Sequence, residues 1–325
     1  MAHLYSFVDG RSMAILGKTG IEVSPLCFGS LTFSKFQANL SLKKGTELLV
    51  YAHEKGINFI DTAEIYDNYH FLREAIREIG RERWTITTKA YCYDRATAEA
   101  SVAKALKEMD TDYIDIFMLH EQESLLTLRG HKEALECLAA FKRKGIIRAI
   151  GISTHFIGCV NATALFPEIE IIHPIINRAG IGIQDGTATE MLHAIEARHK
   201  KGIGIYSMKA LGGGHLIGNS AEALRWIQAQ PHIDATAVGM QSKQEIDYNA
   251  DLFLRKTENE AAYDAVSKKK RKLIIADYCI GCGNCERRCK QDAIHVEDGC
   301  AVVDERCILC GYCATVCPQF CIKVI

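Results

Sequence analysis

The chain has 325 residues, of which 48% are hydrophobic and 24% are charged, and this composition is typical of a folded globular protein rather than of a disordered one. Its formal net charge of −1 provides no overall field that would attract nucleic acid or an anionic membrane surface, so neither is an expected partner. No run of eighteen apolar residues could span a bilayer and residues 1–17 lack the apolar core of a signal peptide, so we expect neither membrane insertion nor secretion.

The first predicted element is a hairpin over residues 13–26. Two apolar arms flank a Lys-Thr-Gly turn at 18–20, and such a hairpin would cap the floor of the domain that follows. The sequence LGKTG at 16–20 is not a phosphate-binding loop, because the upstream glycine that this motif requires is absent.

From residue 13 to about 254, short apolar strands alternate with amphipathic helical stretches, a pattern typical of a parallel α/β architecture. The predicted strands are 23–29, 58–62, 84–89, 114–119, 147–152, 169–176, 203–208 and 235–239. Eight strands separated by helices indicate a closed (β/α)8 (TIM) barrel. We therefore expect a barrel over residues 1–255, a charged linker over 256–273 and a small α+β iron–sulfur domain over 274–325.

Five segments resemble successive landmarks of the aldo-keto reductase family: LGKTGIEVSPLCFGS, INFIDTAEIY, WTITTKA, DIFMLH and IRAIGIST. The resemblance covers nearly all of the first 253 residues. Barrels of this kind carry their chemistry on the loops at the carboxyl ends of the strands. The resemblance implies a catalytic tetrad in which Asp61 and Tyr66 follow the second strand, Lys89 ends the third and His120 ends the fourth.

The chemistry of these residue types agrees with that role. A phenol with a pKa near 10 is a poor acid and base at neutral pH, so an adjacent Lys89 would be expected to stabilise the anion of Tyr66. Asp61 would keep that lysine protonated, and neutral His120 would orient a substrate carbonyl. Each residue alone has an ordinary explanation, such as a helix cap or a core histidine, but the four together on adjacent strand ends favour a catalytic site.

The resemblance also implies NAD(P)H lying across the mouth of the barrel. The implied contacts are Ser153 and Thr154 at the carboxamide, Tyr206 stacked on the nicotinamide, Leu211, Gly212 and Gly213 at the phosphates, and Gln241, Lys243, Glu245 and Asn249 at the adenosine. A glycine run is also an ordinary flexible turn. Gln241 stands where many relatives carry a basic residue, and His173 and Ile176 replace a glutamine and an aromatic residue, so the choice between NAD and NADP stays open.

Beyond the barrel, residues 268–272 form a basic run, Lys-Lys-Lys-Arg-Lys, which we expect to be a solvated linker. Docking of an acidic redox partner is the alternative. Of the fourteen cysteines, four precede residue 279 and ten lie in the last 47 residues. This skew favours metal-bound thiolates in a reducing, cytoplasmic compartment over a disulfide framework.

The tail contains two C-x2-C-x2-C-x3-C runs, offset by 28 residues, and therefore resembles a duplicated bacterial ferredoxin. In two-cluster ferredoxins the fourth cysteine of each run ligates the other cluster. The predicted ligands are Cys279, Cys282, Cys285 and Cys317 for one [4Fe–4S] cluster, and Cys307, Cys310, Cys313 and Cys289 for the second. Cys300 and Cys321 are then packing thiols, and Lys290 stands where proline is usual but removes no ligand. A pair of zinc sites is the alternative, although zinc has no use for the third cysteine at the same short spacing.

Together these features predict an oxidoreductase that acts on a small carbonyl or alcohol, with a ferredoxin or flavodoxin as candidate redox partner. Nicotinamide transfers two electrons as hydride whereas each cluster transfers one, so their coupling requires a flavin, a radical-tolerant substrate or an external partner. No flavin-binding motif is visible. Two alternatives follow: a reductase driven by the clusters without nicotinamide, and an electron-transfer or docking protein with a non-catalytic barrel.

Overall fold

The computed structural model describes residues 6–8 and 11–325, with side chains described from Met13 onward. The prediction that the N-terminus lacks a signal peptide falls partly on residues 1–5 and 9–10, which lie outside the described residues. The strands are β1 (Ser6–Val8), β2 (Arg11–Ile15), β3 (Glu22–Val23), β4 (Leu26–Gly29), β5 (Phe59–Asp61), β6 (Thr85–Ala90), β7 (Ile114–Leu119), β8 (Ile147–Thr154), β9 (Ile171–Pro174), β10 (Gly204–Ser207), β11 (Ala235–Gly239), β12 (Leu273–Ile275), β13 (Ile294–Glu297), β14 (Cys300–Val303) and β15 (Ile322–Val324). The helices are α1 (Leu42–Glu54), α2 (Tyr69–Ile79), α3 (Arg95–Met109), α4 (Leu125–Gly130), α5 (Lys132–Arg143), α6 (Ile157–Ala162), α7 (Ala188–His199), α8 (Ser220–Gln228), α9 (Lys243–Ala250), α10 (Glu260–Ser267) and α11 (Asn284–Arg288).

Strands β4 to β11 form a closed parallel barrel in the order β10-β11-β4-β5-β6-β7-β8-β9, which confirms the predicted (β/α)8 fold. All six residues of β6 and all six of β7 are buried, as expected for strands covered on both faces. The predicted strand 23–29 is instead divided between β3 and β4. Pro25 lies at the break, where it has no N–H to donate to a ladder.

The predicted N-terminal hairpin is confirmed and closes the floor of the barrel. Strands β2 and β3 pair antiparallel with Ala14 opposite Val23. The amide of Lys18 donates to the carbonyl oxygen of Gly202 (2.9 Å), two residues before β10 begins. Apolar residues of the hairpin, including Ala14 and Val23, are buried together with barrel-interior residues such as Phe59.

The C-terminal module consists of two antiparallel strand pairs, β12 with β15 and β13 with β14, together with α11 and a short helical turn at Ala314–Val316. It lies against the loops at the carboxyl ends of the barrel strands. The side chain of His215, in the loop after β10, lies 3.1 Å from the carbonyl oxygen of Ile322. Phe320 is 1% exposed, and its ring packs against Gly182 and Gly213 of two barrel loops. The module therefore covers the end of the barrel where chemistry is expected.

None of the described helices is both long enough and apolar enough to cross a membrane.

Candidate active site and cluster cavities

The centre of the candidate site is a buried ion pair between neighbouring strands. Asp61 ends β5 and Lys89 lies in β6, and the Nζ atom of Lys89 is 2.9 and 2.8 Å from the two carboxylate oxygens of Asp61. The same ammonium donates to the carbonyl oxygen of Thr62 (2.7 Å). Burial raises the pKa of Asp61, but Lys89, His173 and Tyr206 together outweigh this effect and the pKa is lowered overall. The carboxylate is therefore charged, and the three ammonium hydrogens of Lys89 all have acceptors.

Tyr66 follows β5 on the helical turn Glu64–Tyr66 and lies beside this pair. The Nζ atom of Lys89 is 5.1 Å from the centroid of the Tyr66 ring, so it contacts the ring face. Burial raises the pKa of Tyr66 well above 10, and the carboxylates of Asp61 and Glu121 raise it further. Lys89 does not offset this increase, because its ammonium hydrogens are donated to Asp61 and Thr62 rather than to the phenol. The phenol of Tyr66 is therefore neutral near pH 7.

His120 follows β7, and the structure brings it to the same place. Its ring centroid lies 6.0 Å from that of Tyr66 and 4.6 Å from that of Tyr91, on which it stacks. Burial and the charge of Lys89 lower the pKa of His120 to about 3, so the imidazole is neutral. Its Nδ1 atom is buried and has no hydrogen-bond partner among the described residues. All four predicted tetrad residues thus surround one point, with an unsatisfied imidazole nitrogen beside it.

Tyr206 does not have the position predicted for it. Its ring is fully buried, stacks on His173 at 3.9 Å and meets the edge of Phe59. Its hydroxyl donates to Asp61 Oδ2 (2.8 Å). The prediction that Tyr206 stacks on a nicotinamide is wrong for this conformation, because neither ring face is open; the residue instead supports Asp61.

A cavity of about 200 Å³ runs from Asp61 and Tyr66 to Gln241 and Glu245. Of the residues predicted to contact a nucleotide, those that line it are Leu211, Gly213, Gln241 and Glu245. Those outside its lining are Ser153, Thr154, Tyr206, Gly212, Lys243 and Asn249. The hydroxyl of Ser153 accepts from the Glu121 amide (2.8 Å) and that of Thr154 from the Phe156 amide (3.0 Å), so both are engaged within the protein.

The end of this cavity that was predicted to hold adenosine is lined in part by the chain's own linker, through Arg271. Glu245 is 8% exposed; its carboxylate accepts from the Gln241 amide (2.6 Å) and pairs with Lys269 (3.3 Å) and Arg271 (3.5 Å). Lys269 also donates to the side-chain oxygen of Gln241 (2.8 Å). The prediction of a solvated linker is therefore wrong for Lys269 and Arg271, because a buried carboxylate on the barrel holds them. The predicted cation Lys243 instead lies 4.6 Å from the ring of Tyr51.

The glycine loop after β10 packs against the C-terminal strand. A Cβ atom at Gly214 would lie 2.0 Å from the carbonyl oxygen of Val324, and one at Gly213 would lie 2.9 Å from the ring of Phe320. Only glycine allows such a close approach, and both positions have positive φ. The glycines that were predicted to surround phosphates thus make room for β15.

The predicted cluster ligands surround two small cavities in the C-terminal module. Cys279, Cys282, Cys285 and Cys317 line the first cavity, and Cys289, Cys307, Cys310 and Cys313 line the second. Their other lining residues are mainly apolar, such as Val296 in the first and Leu273 in the second. Four thiols around an apolar void suit a cubane cluster. Cys321, predicted as a packing thiol, also lines the first cavity, and its sulfur lies 3.4 Å from that of Cys317.

The first cavity is next to the candidate active site. Gln319 and Cys321 line it, and the ring of Phe320 between them lies 4.6 Å from the Nζ atom of Lys209 in the loop after β10.

The sequence analysis did not predict a role for Lys209, Lys323 or Glu121. The rule that barrel chemistry lies at the carboxyl ends of the strands could have identified two of them. Lys209 lies two residues after the end of β10, and Glu121 lies two residues after the end of β7.

Comparison with known proteins gives two family matches. The aldo/keto reductase family model matches residues 25–222, and a 4Fe-4S binding domain model matches residues 272–295 and 301–323. Methylglyoxal reductase DkgA of Salmonella typhimurium is 26% identical over 170 residues, which make up 50% of this chain and 57% of that protein. The match thus spans little more than half the length of that relative. A probable voltage-gated potassium channel subunit beta of Arabidopsis thaliana is 31% identical over 123 residues, 34% of this chain and 37% of that protein.

Solved structures share the barrel. An aldo-keto reductase of Pseudomonas aeruginosa superposes with a TM-score of 0.63 at 25% identity, covering 79% of this chain and 95% of that one. An aldo-keto reductase of Bacillus halodurans superposes with a TM-score of 0.64 at 19% identity, again covering 79% and 95%, and at that identity it supports the fold alone.

Proposed function

The chain belongs to the aldo/keto reductase family, and from that premise we propose that it reduces a small carbonyl compound to an alcohol, or catalyses the reverse, with electrons supplied through its C-terminal module. Tyr66 is the proton donor to the carbonyl oxygen. One observation carries the proposal: the first four-cysteine cavity lies directly behind Phe320, which is packed on the loops around the Asp61, Lys89, Tyr66 and His120 cluster. Electron supply and proton supply therefore converge on one end of the barrel.

We assign one [4Fe–4S] cluster to each cavity, the first held by Cys279, Cys282, Cys285 and Cys317 and the second by Cys289, Cys307, Cys310 and Cys313, since these cysteines line the two cavities. Such clusters supply electrons one at a time. The domain limits that follow are a barrel over 1–255, a linker over 256–273 and a ferredoxin-type domain over 274–325. A reduced ferredoxin or flavodoxin, which are one-electron donor proteins, is the proposed source of electrons.

The proton chemistry follows from the site's own residues. Conversion of a carbonyl to an alcohol consumes two electrons and two protons. Tyr66, kept neutral by its raised pKa, gives one proton to the oxygen, and the second, for the carbon, comes from solvent in the cavity. Neutral His120 holds the same oxygen by a hydrogen bond. Lys89, fixed by Asp61 at 2.8 Å, places a positive charge beside the phenol as negative charge develops on it.

The residues do not fit the family's nicotinamide site, so no step is assigned to NAD(P)H. Tyr206 has no open face, Ser153 and Thr154 bond within the protein, and the carboxylate of Glu245 is taken by linker cations. This favours the hypothesis of a cluster-driven reductase over the nicotinamide-linked one.

A nicotinamide-linked reductase is the second candidate, because the cavity extends all the way from Asp61 to Gln241. Anaerobic titration of the oxidised holoprotein with NADH and NADPH separates the two. Bleaching of the cluster absorbance by either nucleotide, or carbonyl turnover with nucleotide alone, would favour the second candidate and NADP or NAD as cofactor. If the purified protein retains a flavin, electrons would pass between nucleotide and clusters through that flavin.

The central test uses methylglyoxal, the compound after which the Salmonella typhimurium relative is named. Anaerobic holoprotein is reduced with dithionite, methylglyoxal is added, and cluster reoxidation and alcohol product are followed together. Tyr66→Phe should slow both by a factor of roughly 10² to 10⁴, the usual contribution of a general acid, while cluster reduction by dithionite is unchanged. Tyr93→Phe, at a 57% exposed tyrosine three residues after β6, is the matched control. Equal turnover in Tyr66→Phe would instead support an electron-transfer or docking protein with a non-catalytic barrel.

A further inference from the structure

Two lysines from distant parts of the chain meet in the catalytic cavity. Lys209 follows β10 of the barrel, Lys323 lies in β15 of the module, and both line the cavity together with Asp61 and Tyr66. The two ammonium groups contact the same aromatic ring: Nζ of Lys209 lies 4.6 Å, and Nζ of Lys323 lies 3.4 Å, from the centroid of Phe320. A positive charge from each domain is thus fixed beside the proton donor.

Neither ammonium has a carboxylate within ion-pairing distance among the described residues. Nζ of Lys209 donates to the Nε2 atom of His155 (2.7 Å), and Nζ of Lys323 donates to the carbonyl oxygen of Phe320. The nearest acidic influence on Lys209 is Glu121, whose carboxylate accepts from the hydroxyl of Tyr91 (2.5 Å). Largely buried ammonium groups without an anionic partner are costly, and a bound anion would relieve that cost.

Burial acts on both lysines. It lowers the pKa of Lys209 and that of Lys323, and the proximity of Lys209 lowers the pKa of Lys323 further. A bound anion would oppose these shifts, because it stabilises the charged form of each lysine.

Backbone conformation gives an independent indication. Three non-glycine residues of this junction have left-handed backbones: Glu121 at φ 47°, Phe320 at φ 48° and Lys209 at φ 59°. Each conformation costs free energy for a residue with a Cβ atom, and such residues concentrate at active sites and ligand clamps. These three come from two barrel loops and the module, so their strain is concentrated around the two ammonium groups.

We propose that Lys209 and Lys323 form a carboxylate-binding subsite, so that the substrate of the proposed reaction is a 2-oxo acid or the corresponding 2-hydroxy acid. The subsite rests on the proposed function for its role but not for its existence. A carboxylate adjacent to the carbonyl would bind these lysines while the carbonyl oxygen faces Tyr66 and His120. A nucleotide phosphate is disfavoured, because the other charges acting on Lys209 are Glu121 and Lys89 at the catalytic end, whereas Lys269 and Arg271 lie at the Glu245 end.

The test is a binding measurement on oxidised, anaerobic holoprotein without an electron donor. Isothermal titration compares pyruvate with methyl pyruvate, its neutral ester. Pyruvate should bind the wild type more tightly, and Lys209→Met and Lys323→Met should each weaken pyruvate binding about tenfold to a hundredfold, the contribution of a charged hydrogen bond, with little effect on the ester. Lys201→Met, at an exposed lysine of the barrel surface, is the matched control and should leave binding unchanged. Iron content and cluster absorbance verify that each variant is folded.

A pH series adds a second readout. Burial lowers the pKa of Lys209 to about 8, with Glu121 opposing and Lys89 reinforcing that shift. The groups that face it are His155, Glu121, Lys89 and Lys323, and His155 and Glu121 have lowered pKa values that keep them from titrating between pH 7 and pH 9. Burial lowers the pKa of Lys323 as well. Pyruvate affinity should therefore fall as pH rises through about 8, and the Lys209→Met and Lys323→Met variants should each show a smaller fall than the wild type.

Three results would overturn the subsite: no pyruvate binding by the wild type, equal weakening of acid and ester in the lysine variants, or displacement of pyruvate by pyrophosphate with higher affinity for the latter. Failure of the proposed function has a different signature. In that case pyruvate binds through the two lysines but neither reoxidises reduced clusters nor is converted to lactate.

Discussion

Replacing Phe320 with alanine should separate reduction of the clusters from reduction of the substrate. The ring is 1% exposed and is packed between Gly182 and Gly213 of the barrel, with two ammonium groups at its face. Removal of a buried phenylalanine side chain costs about 3–5 kcal/mol, and roughly 1.4 kcal/mol corresponds to a factor of ten. Docking of the module on the barrel should weaken by a factor of roughly a hundred to a few thousand. Alanine has a Cβ atom and therefore the same left-handed backbone strain as phenylalanine, so any change in docking is due to loss of the ring.

Neither four-cysteine cavity has Phe320 in its lining, so the clusters should assemble normally in the variant. The assay is the rate at which dithionite-reduced clusters are reoxidised by a carbonyl substrate under anaerobic conditions. We expect this rate to fall at least about tenfold while iron content and chemical reducibility stay at the wild-type level. Hydrogen exchange of the Gly213 and Gly214 amides should rise in parallel, because β15 no longer covers them.

Val302→Ala is the matched control, since this side chain lies on the same module, is 39% exposed and lines neither cavity. It should leave both the reoxidation rate and the exchange rates unchanged. Wild-type reoxidation in Phe320→Ala, together with increased exchange at the glycine loop, would refute the idea that electrons cross at this interface.

Two further predictions concern the ion pair and the ligands. Lys89→Met should lower the free energy of unfolding by about 3–5 kcal/mol because it leaves the Asp61 carboxylate buried and unpaired, and denaturant titration should find most of that loss recovered in the Lys89→Met/Asp61→Asn double variant. Since the pKa of Asp61 is lowered from 3.8, the pair's contribution is present above that pH and should be lost as pH falls through the lower, folded-state pKa. Cys317→Ala should remove about half of the iron measured in holoprotein, whereas Cys321→Ala should retain nearly all of it, and the reverse outcome would exchange the roles of these two thiols.

The barrel and the tetrad were predictable because their signals are local. The spacing of apolar residues reveals each strand and helix from its own segment of sequence. The rule that barrel chemistry lies at the carboxyl ends of the strands then brings Asp61, Lys89 and His120 together without any knowledge of tertiary contacts. The cysteine runs are equally local, because the spacing within each run determines which thiols can converge.

The interior of the barrel was less predictable. The sequence around Tyr206 is compatible with either face of a short strand, and only the packing of β10 against its neighbours turns the ring inward to Asp61. The same is true of Lys89: its proximity to Tyr66 could be expected, but not the capture of all its hydrogens by Asp61 and Thr62.

Contacts between the two domains could not be predicted at all. Lys209 and Phe320 are separated by more than a hundred residues, and no periodicity or spacing connects them. The linker presents the same difficulty, because a basic run is ordinarily solvated and only the buried carboxylate of Glu245 shows why Lys269 and Arg271 are not.

Side chains of the protein itself cover parts of the cavity, and this restricts the electron donors that the site can accept. Hydride transfer requires the donor carbon to approach the carbonyl to roughly 3–3.5 Å, and hence an open stacking surface for the nicotinamide. Here the ring of Tyr206 is stacked on His173, and Lys269 of the linker pairs with Glu245 at the end of the cavity that was predicted to hold adenosine. A donor tethered in the same chain avoids diffusional encounter, since a short linker gives an effective concentration of about the millimolar order. The contacts around Phe320 then keep the cluster module beside the barrel mouth, and a cover over that mouth becomes compatible with turnover.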